Sequence, residues 1–239
     1  GGIFTIAEVL ELCSRINAPA VYDNLHNAIH PCDPAKSDAE WIAHCKNTWR
    51  KQDGAQKVHY SQQHPQKTRG AHADTIAINP FLDFCHGISN EKPDIMLEVK
   101  DKNRSAVKCI LCTSAFPQRL LETEWGRYKY SVLERSPADY QRIRELLKDK
   151  VSDHAIEFYR IVERALQEPE DKGRELNALE HVWGYFKDCA TPEEAKRYIA
   201  RRDGYLRNDN ALSLVKGLLY RLSQKYQQDY LLGSYYLSL

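Results

Sequence analysis

Short apolar segments that end in acidic or imidazole side chains constrain the fold of this chain more than any other feature. Such side chains follow or interrupt four runs, APAVYDNLH with Asp23 and His26, QKVHYS with His59, RGAHADTI with His72 and Asp74, and DIMLEVKDK with Glu98. Helix or strand periodicity alone cannot gather ligands from four separated segments. A fold that brings the carboxyl ends of parallel strands to one edge can do so.

The first 114 residues alternate strand-like and helix-like patterns. The predicted strands cover residues 18–23, 57–60 and 94–99, and the predicted helices cover residues 5–15, 37–50, 76–88 and 104–113. Thr5 precedes Glu8 at the spacing of a capping box, which supports a helix that starts there. Alternation of short strands with helices of ten or more residues is typical of parallel βαβ units.

The remaining residues carry only helical patterns. Helices are predicted over residues 119–133, 137–150, 152–167, 172–187, 192–202 and 211–226. Pro137 and Pro192 suit the first turn of a helix, and Ser136 and Thr191 before them suit the cap. We therefore expect two domains, residues 1–114 and 115–239, with a fold class of α/β followed by all-α.

Composition excludes several classes of protein. The net charge of +1 predicts no overall attraction to nucleic acid, so any such contact needs a local basic patch. No apolar run approaches the roughly 20 residues that span a bilayer, and no signal peptide is evident, which predicts a cytoplasmic protein without a membrane partner. The seven cysteines are expected to be reduced, with Cys109 and Cys112 buried on a helix rather than forming a redox or zinc site.

Several candidate ligands also have an ordinary structural interpretation. Asp23 and His26 could belong to a surface turn, His59 could be a hydrogen-bonded core histidine, and Asp74 could cap the helix that follows it. Glu98 lies within an apolar strand, where a carboxylate is rarely buried without a cation nearby. Taken together, four consecutive strand ends with such side chains indicate a hydrolase with two or three divalent ions, zinc or manganese rather than calcium.

A basic stretch surrounds the second and third ligand segments. Its cations are interleaved with aromatic residues, and the candidate DNA contacts are Arg50, Lys51, Tyr60 and Arg69. Phosphate contact is one interpretation. The other is a solvated helix face beside core tryptophans.

The ordered string VYDNLH, KVHYS, RGAHADTI and DIMLEVKDK resembles the C-terminal half of the UV damage endonuclease family. The resemblance implies part of a (β/α)8 TIM barrel, here with about three parallel strands, and a cluster of divalent ions at the strand ends. It implies metal ligands at Asp23, His26, His59, His72 and Glu98, with Asp74 as a further ligand. It also implies catalytic roles for Glu98 and for Lys57, which the family can carry as a carbamate near the metals.

The same resemblance implies a function and its partners. The expected reaction is a phosphodiester cut 5′ to UV-induced dipyrimidine lesions in damaged double-stranded DNA, with Mn²⁺ as the first expected cofactor and Zn²⁺ or Mg²⁺ as alternatives. The family barrel begins upstream of this segment, so we expect a fragment that self-associates or needs the N-terminal barrel half. The stretches EWGRYKYSVLERSPADYQRIRELLKD, HVWGYFKD and YLLGSYYL resemble a helical module of unsettled function that is appended to some bacterial members.

Two further functions stay open at this point. A barrel isomerase of the sugar-phosphate kind also places Asp, Glu and His around two divalent ions. Alternatively, the helical domain could be a non-catalytic module that binds DNA or protein, with the barrel segment as a residual part.

Overall fold

The structure is a computed structural model that describes residues 3–115, 118–209 and 211–237. It divides into two compact units, Gly1–Ser114 and Ala115–Leu239. Within the described residues, no helix combines the length and the apolar character that crossing a membrane requires.

The first unit is built on a small parallel sheet. Its strands are β1 (Tyr22–Asp23), β2 (Lys57–Tyr60) and β3 (Asp94–Leu97), in the order β1-β2-β3. Asp23 is in register with His59, and His59 is in register with Met96. Its helices are α1 (Ile6–Ile16), α2 (Asn24–Ile29), α3 (Asp38–Lys46), α4 (Ile78–Gly87) and α5 (Asn103–Thr113), with a 3₁₀ turn at Lys51–Asp53.

Local sequence signals explain where most of these helices begin. Thr5 forms the predicted capping box with Glu8, and Ser37 forms a second one with Glu40. α4 begins without a side-chain cap, since Ala77 occupies that position. Asp74 therefore does not cap the following helix, and that interpretation of the sequence is wrong.

Strand β1 is shorter than the predicted residues 18–23 because side chains bind the backbone before it. The Ala20 amide donates to Thr48 Oγ1 at 2.7 Å, and the Trp49 indole donates to the Ala20 carbonyl at 2.8 Å. These bonds satisfy the polar groups that a longer strand would have paired with its neighbour. Trp49 thus holds the entry to β1, which favours the structural interpretation of this tryptophan.

The second unit is helical, as the sequence predicts. Its helices are α6 (Gln118–Arg135), α7 (Pro137–Leu146), α8 (Ala155–Gln167), α9 (Lys172–Trp183), α10 (Pro192–Leu206), α11 (Leu212–Lys225) and α12 (Asp229–Leu232), followed by a 3₁₀ turn at Tyr235–Leu237. Ser136 and Thr191 cap α7 and α10, and a proline follows each cap in the first turn. α12 and the 3₁₀ turn were not predicted.

The core of the second unit combines apolar packing with paired charges. Phe186, Tyr198 and Tyr236 are buried in one apolar cluster with Leu179 and Leu219. Two buried acidic side chains of this unit have basic partners: Glu134 contacts Lys216 at 2.9 Å, and Asp139 contacts Arg164. A buried carboxylate without such a partner would destabilise the fold.

Both cysteines of the C-x-x-C pair are buried on α5, as predicted. Cys109 and Cys112 are both buried in the first unit. Burial raises the pKa of Cys109 to about 12, so the nucleophilic thiolate is scarce near neutral pH. This environment is that of a packing residue rather than a redox centre.

Candidate functional site

Three predicted ligands meet where the parallel strands end. One ligand atom each from Asp23, His59 and Glu98 lies within 4.8 Å of the other two. Asp23 ends β1, His59 lies on β2, and Glu98 follows β3 with its amide bonded to the Tyr60 carbonyl at 2.9 Å. Glu98 is two residues beyond Met96, the register partner of His59, so parallel pairing turns these side chains to one face.

The two carboxyl oxygens of Asp23 have separate environments. Oδ1 accepts a hydrogen bond from the His26 amide at 2.8 Å and thereby caps α2. Oδ2 is buried and has no hydrogen-bond partner among the described residues; His26 Nδ1 lies 3.5 Å away and His59 Nδ1 lies 3.9 Å away. A buried carboxylate oxygen that faces a group of ligand atoms fits a cation.

The Glu98 carboxylate contacts two of the imidazoles. Its Oε1 lies 2.6 Å from His59 Nδ1, and its Oε2 lies 3.5 Å from His72 Nε2. Both rings are about one-third exposed, so they remain open to an incoming ion or substrate. The set of two carboxylates and three imidazoles contains the oxygen and nitrogen donors that manganese and zinc accept.

Side-chain amides hold the loops that carry these ligands. Asn24 donates to the Ser61 carbonyl at 3.0 Å and accepts from the Ser61 amide at 2.9 Å, which continues the β1–β2 pairing past the end of β1. Gln62 binds the Ala77 amide and carbonyl in the same way, at 2.8 and 2.9 Å. Sequence reasoning missed both residues, although each lies within two residues of the end of a strand, where backbone pairing stops.

Asp74 lies apart from the Asp23–His59–Glu98 group. Its carboxylate contacts His64 Nε2 at 3.2 Å, Lys67 Nζ at 3.5 Å and Lys100 Nζ at 2.8 Å. The hydrogen bond from Lys100, assisted by His64, lowers the pKa of the Asp74 carboxyl to about 2. Its predicted role as a metal ligand stays a prediction, and the structure supplies it with other partners. His64 was not anticipated from the sequence.

The Lys57 ammonium contacts groups other than the candidate ligands. Its ammonium donates to the Ala55 carbonyl at 3.3 Å and lies 5.4 Å from the centroid of the Trp49 ring. Lys57 is the first residue of β2, whereas the candidate ligands cluster at the carboxyl ends of the strands. The structure thus does not bring Lys57 to His59, although both lie on the same strand face.

The four candidate DNA contacts differ in their environments. Tyr60 is 2% exposed and packs against Phe81 and Phe84, so it is corrected to a core residue that cannot stack on a base. Arg69 donates to the Ile29 carbonyl at 2.6 Å at the end of α2, and Arg50 binds Asp53. Lys51 is exposed in the 3₁₀ turn.

The comparisons with known proteins match the two units separately. Residues 2–117 match the model of the family described as UV-endonuclease UvdE, and residues 129–239 match a family described as a protein of unknown function, DUF1722. The chain carries a UvdE-family domain. The UV DNA damage endonuclease of Clostridium perfringens is 34% identical over 197 residues, which is 80% of this chain and 46% of that protein.

Other relatives align with the UvdE domain over a shorter length. A putative UV-damage endonuclease of Acanthamoeba polyphaga mimivirus is 32% identical over 106 residues, or 44% of this chain and 32% of that protein. The solved structure described as the crystal structure of SacUVDE shares 34% identity, covers 44% of this chain and 34% of its own, and has a TM-score of 0.38. The chain therefore spans about half or less of these relatives. The Clostridium match extends beyond the UvdE domain into the helical unit, since 80% of the chain is longer than residues 2–117.

Proposed function

We propose that this chain contributes the later metal ligands of a DNA repair endonuclease that cuts 5′ to UV-induced dipyrimidine lesions. The observation that carries the proposal is Asp23 Oδ2, which is buried, accepts no hydrogen bond from any described residue and faces His59 inside a UvdE-family domain. In this proposal the three parallel strands are the C-terminal part of a (β/α)8 barrel. Active sites of such barrels lie at the carboxyl ends of the strands, where these ligands meet.

Asp23, His59 and Glu98 would hold a divalent ion, with Mn²⁺ the first expectation and Zn²⁺ or Mg²⁺ the alternatives. His26 and His72 stand next to Asp23 and Glu98 and would complete or orient the ligand set. When bound, the ion supplies Lewis acidity, which lowers the pKa of water and offsets the negative charge of a scissile phosphate. Damaged double-stranded DNA is the proposed substrate.

The residues of the chain position this chemistry in two ways. Asp23 ties the ligand group to the start of α2 through its Oδ1, so the carboxylate cannot rotate without breaking the cap. The Asn24–Ser61 pair fixes the distance between the ends of β1 and β2. Such fixed placement is the main contribution that a protein makes to phosphoryl transfer. We assign Lys57 no part in holding the ion because its ammonium binds Ala55, and its catalytic role stays a prediction.

Cleavage of UV-irradiated supercoiled plasmid tests the proposal. The full chain should nick irradiated plasmid in the presence of Mn²⁺, and chelation or either of Asp23→Ala and Glu98→Gln should lower the rate at least about 100-fold, since even the partners of metal ligands contribute roughly 10- to 100-fold. Glu91→Gln is the matched control, because Glu91 is a carboxylate of the same unit that pairs with Lys46 at 3.3 Å. Nicking that survives both site variants would refute the proposal, and so would a Mn²⁺ affinity of the unaltered chain that neither variant lowers. The relatives named above are endonucleases, so the comparisons do not favour the isomerase alternative.

A further inference from the structure

Two lysines share a single carboxylate beside the candidate ligands. Lys67 and Lys100 lie 3.5 and 2.8 Å from the same atom, Asp74 Oδ1. His64 contacts the other oxygen, Oδ2, at 3.2 Å. Around one carboxylate the structure thus places two ammonium groups and an imidazole, so this lysine pair, Lys67 and Lys100, carries more positive charge than Asp74 balances.

The loop that carries Lys67 is held in place by its own hydrogen bonds. Gln63 and His72 form an antiparallel bridge, with the His64 amide bonded to the Ala71 carbonyl at 2.7 Å and the Ala73 amide bonded to the Gln62 carbonyl at 2.8 Å. Residues 62–73 therefore form a small hairpin that also presents His72 and leads directly to Asp74. Lys67 lies in the turn at the far end of this hairpin.

The lysine pair adjoins the ligand group. Asp74 is two residues beyond His72, and Lys100 is two residues beyond Glu98. A shallow cavity of about 620 Å³ is lined by Gly70, Ala71, His72, Glu98, Val99 and Lys100. An anion in this cavity would reach the Lys100 ammonium and the candidate metal ligands at the same time.

The charges of this cluster call for a second anion. Two ammonium groups close to one carboxylate repel each other, and an exposed ion pair of this kind contributes little stability. The Lys67 and Lys100 side chains are 46% and 57% exposed, so a ligand can reach both. A phosphodiester carries the single negative charge that would match the remaining positive charge.

We propose that Lys67 and Lys100, positioned by Asp74, bind a backbone phosphate of duplex DNA adjacent to the phosphate at the candidate metal site. The inference rests on the proposed function for the identity of the ligand as DNA. It assigns Asp74 to the positioning of cations rather than to a metal ion. Lys67 and Lys100 are binding residues, and Asp74 is a positioning residue.

The salt dependence of duplex binding tests this inference independently of cleavage. Each phosphate contact contributes about 0.9 to the slope of log affinity against log salt concentration. Lys67→Gln combined with Lys100→Gln removes the one proposed phosphate contact and should therefore lower the slope by about 0.9, so that raising salt from about 50 to about 200 mM costs the variant about 3.5-fold less affinity than it costs the unaltered chain. Fluorescence anisotropy with an undamaged labelled duplex measures both slopes.

Three variants control the interpretation. Lys46→Gln removes an exposed lysine of the same unit that pairs with one carboxylate, Glu91, and should leave the slope unchanged. Lys67→Arg with Lys100→Arg should restore the slope that the glutamine variants lose, which separates charge from an effect on folding. Asp74→Asn should weaken duplex binding, because both lysines lose the carboxylate that positions them, and should leave Mn²⁺ affinity unchanged.

Three results would overturn the inference: an unchanged slope in the double glutamine variant, an equal loss of slope in Lys46→Gln, or no duplex binding by the unaltered chain at about 50 mM salt. Failure of the proposed function looks different. In that case Asp23→Ala and Glu98→Gln leave Mn²⁺ affinity unchanged while the lysine variants still reduce the slope of duplex binding.

Discussion

Asp23 allows the folding role and the ligand role of one side chain to be measured separately. Oδ1 caps α2 and Oδ2 faces the ligand group, so Asp23→Asn should keep the cap and change only the ligand, whereas Asp23→Ala should remove both. Asparagine caps helices as well as aspartate does, and loss of a cap to alanine costs about 1 kcal/mol. Without metal, we expect Asp23→Asn to match the unaltered chain and Asp23→Ala to lose about 1 kcal/mol.

The free energy by which bound metal stabilises the fold, here called the metal increment, can be estimated as well. An ion present at about 100 times its dissociation constant stabilises the state that binds it by about 2.7 kcal/mol. If loss of the Asp23 carboxylate weakens binding about tenfold, the same ion concentration stabilises either variant by only about 1.4 kcal/mol. Both substitutions should thus lower the increment by about 1.3 kcal/mol.

Urea denaturation with and without Mn²⁺, followed by hydrogen exchange of peptides from the first unit, measures both quantities. A full metal increment in Asp23→Asn would refute the assignment of Asp23 as a ligand. Equal stability of the two variants without metal would refute its role as the cap of α2.

Three further predictions concern both units. Cys32 and Cys189 are exposed whereas Cys45 is buried with its pKa raised to about 12, so at pH 8 iodoacetamide should label Cys32 and Cys189 and should label Cys45 only after denaturation, as peptide mass spectrometry would show. Phe158→Ala should lower the free energy of unfolding of the second unit by about 3–5 kcal/mol in urea, because Phe158 is fully buried; a loss below about 1 kcal/mol would contradict that burial. Hydrogen bonds from Lys225, Tyr226 and the Thr191 amide lower the pKa of Glu194 from 4.5 to about 2. The ionised Glu194 carboxylate therefore contributes fully to the free energy of unfolding above about pH 4.5, and this contribution is lost as the pH falls towards 2. Glu194→Gln should flatten that part of the plot of stability against pH, and an unchanged plot would count against these bonds.

Local sequence signals predicted most of the elements. β2 has the predicted bounds, and the capping box at Thr5 and the caps at Ser136 and Thr191 mark real helix starts. These elements depend on residues within a few positions of each other, which a sequence displays directly. α2 was missed because Asp23 ends a strand and begins a helix with no intervening turn.

The sequence predicted which residues would form the ligand group, but it did not predict the contacts of Lys57 and Asp74. Asp23, His59 and Glu98 were expected to meet because each lies at or near the carboxyl end of a strand in a parallel sheet. The contacts of Lys57 with Ala55 and of Asp74 with Lys100 depend on side-chain rotamers and on loop geometry. Periodicity carries no information about either of these, so sequence reasoning placed Lys57 in the site and gave Asp74 no cationic partners.

The hairpin of residues 62–73 can vary in length among related chains without moving a candidate ligand. His72 sits on the returning arm, directly opposite Gln63, and its position depends on that bridge rather than on residues 65–68 at the far end. Insertions or deletions there would alter the surface that flanks the ligand group while His72 keeps its distance from Glu98. Related chains can therefore differ in length at this point and still share one set of ligands.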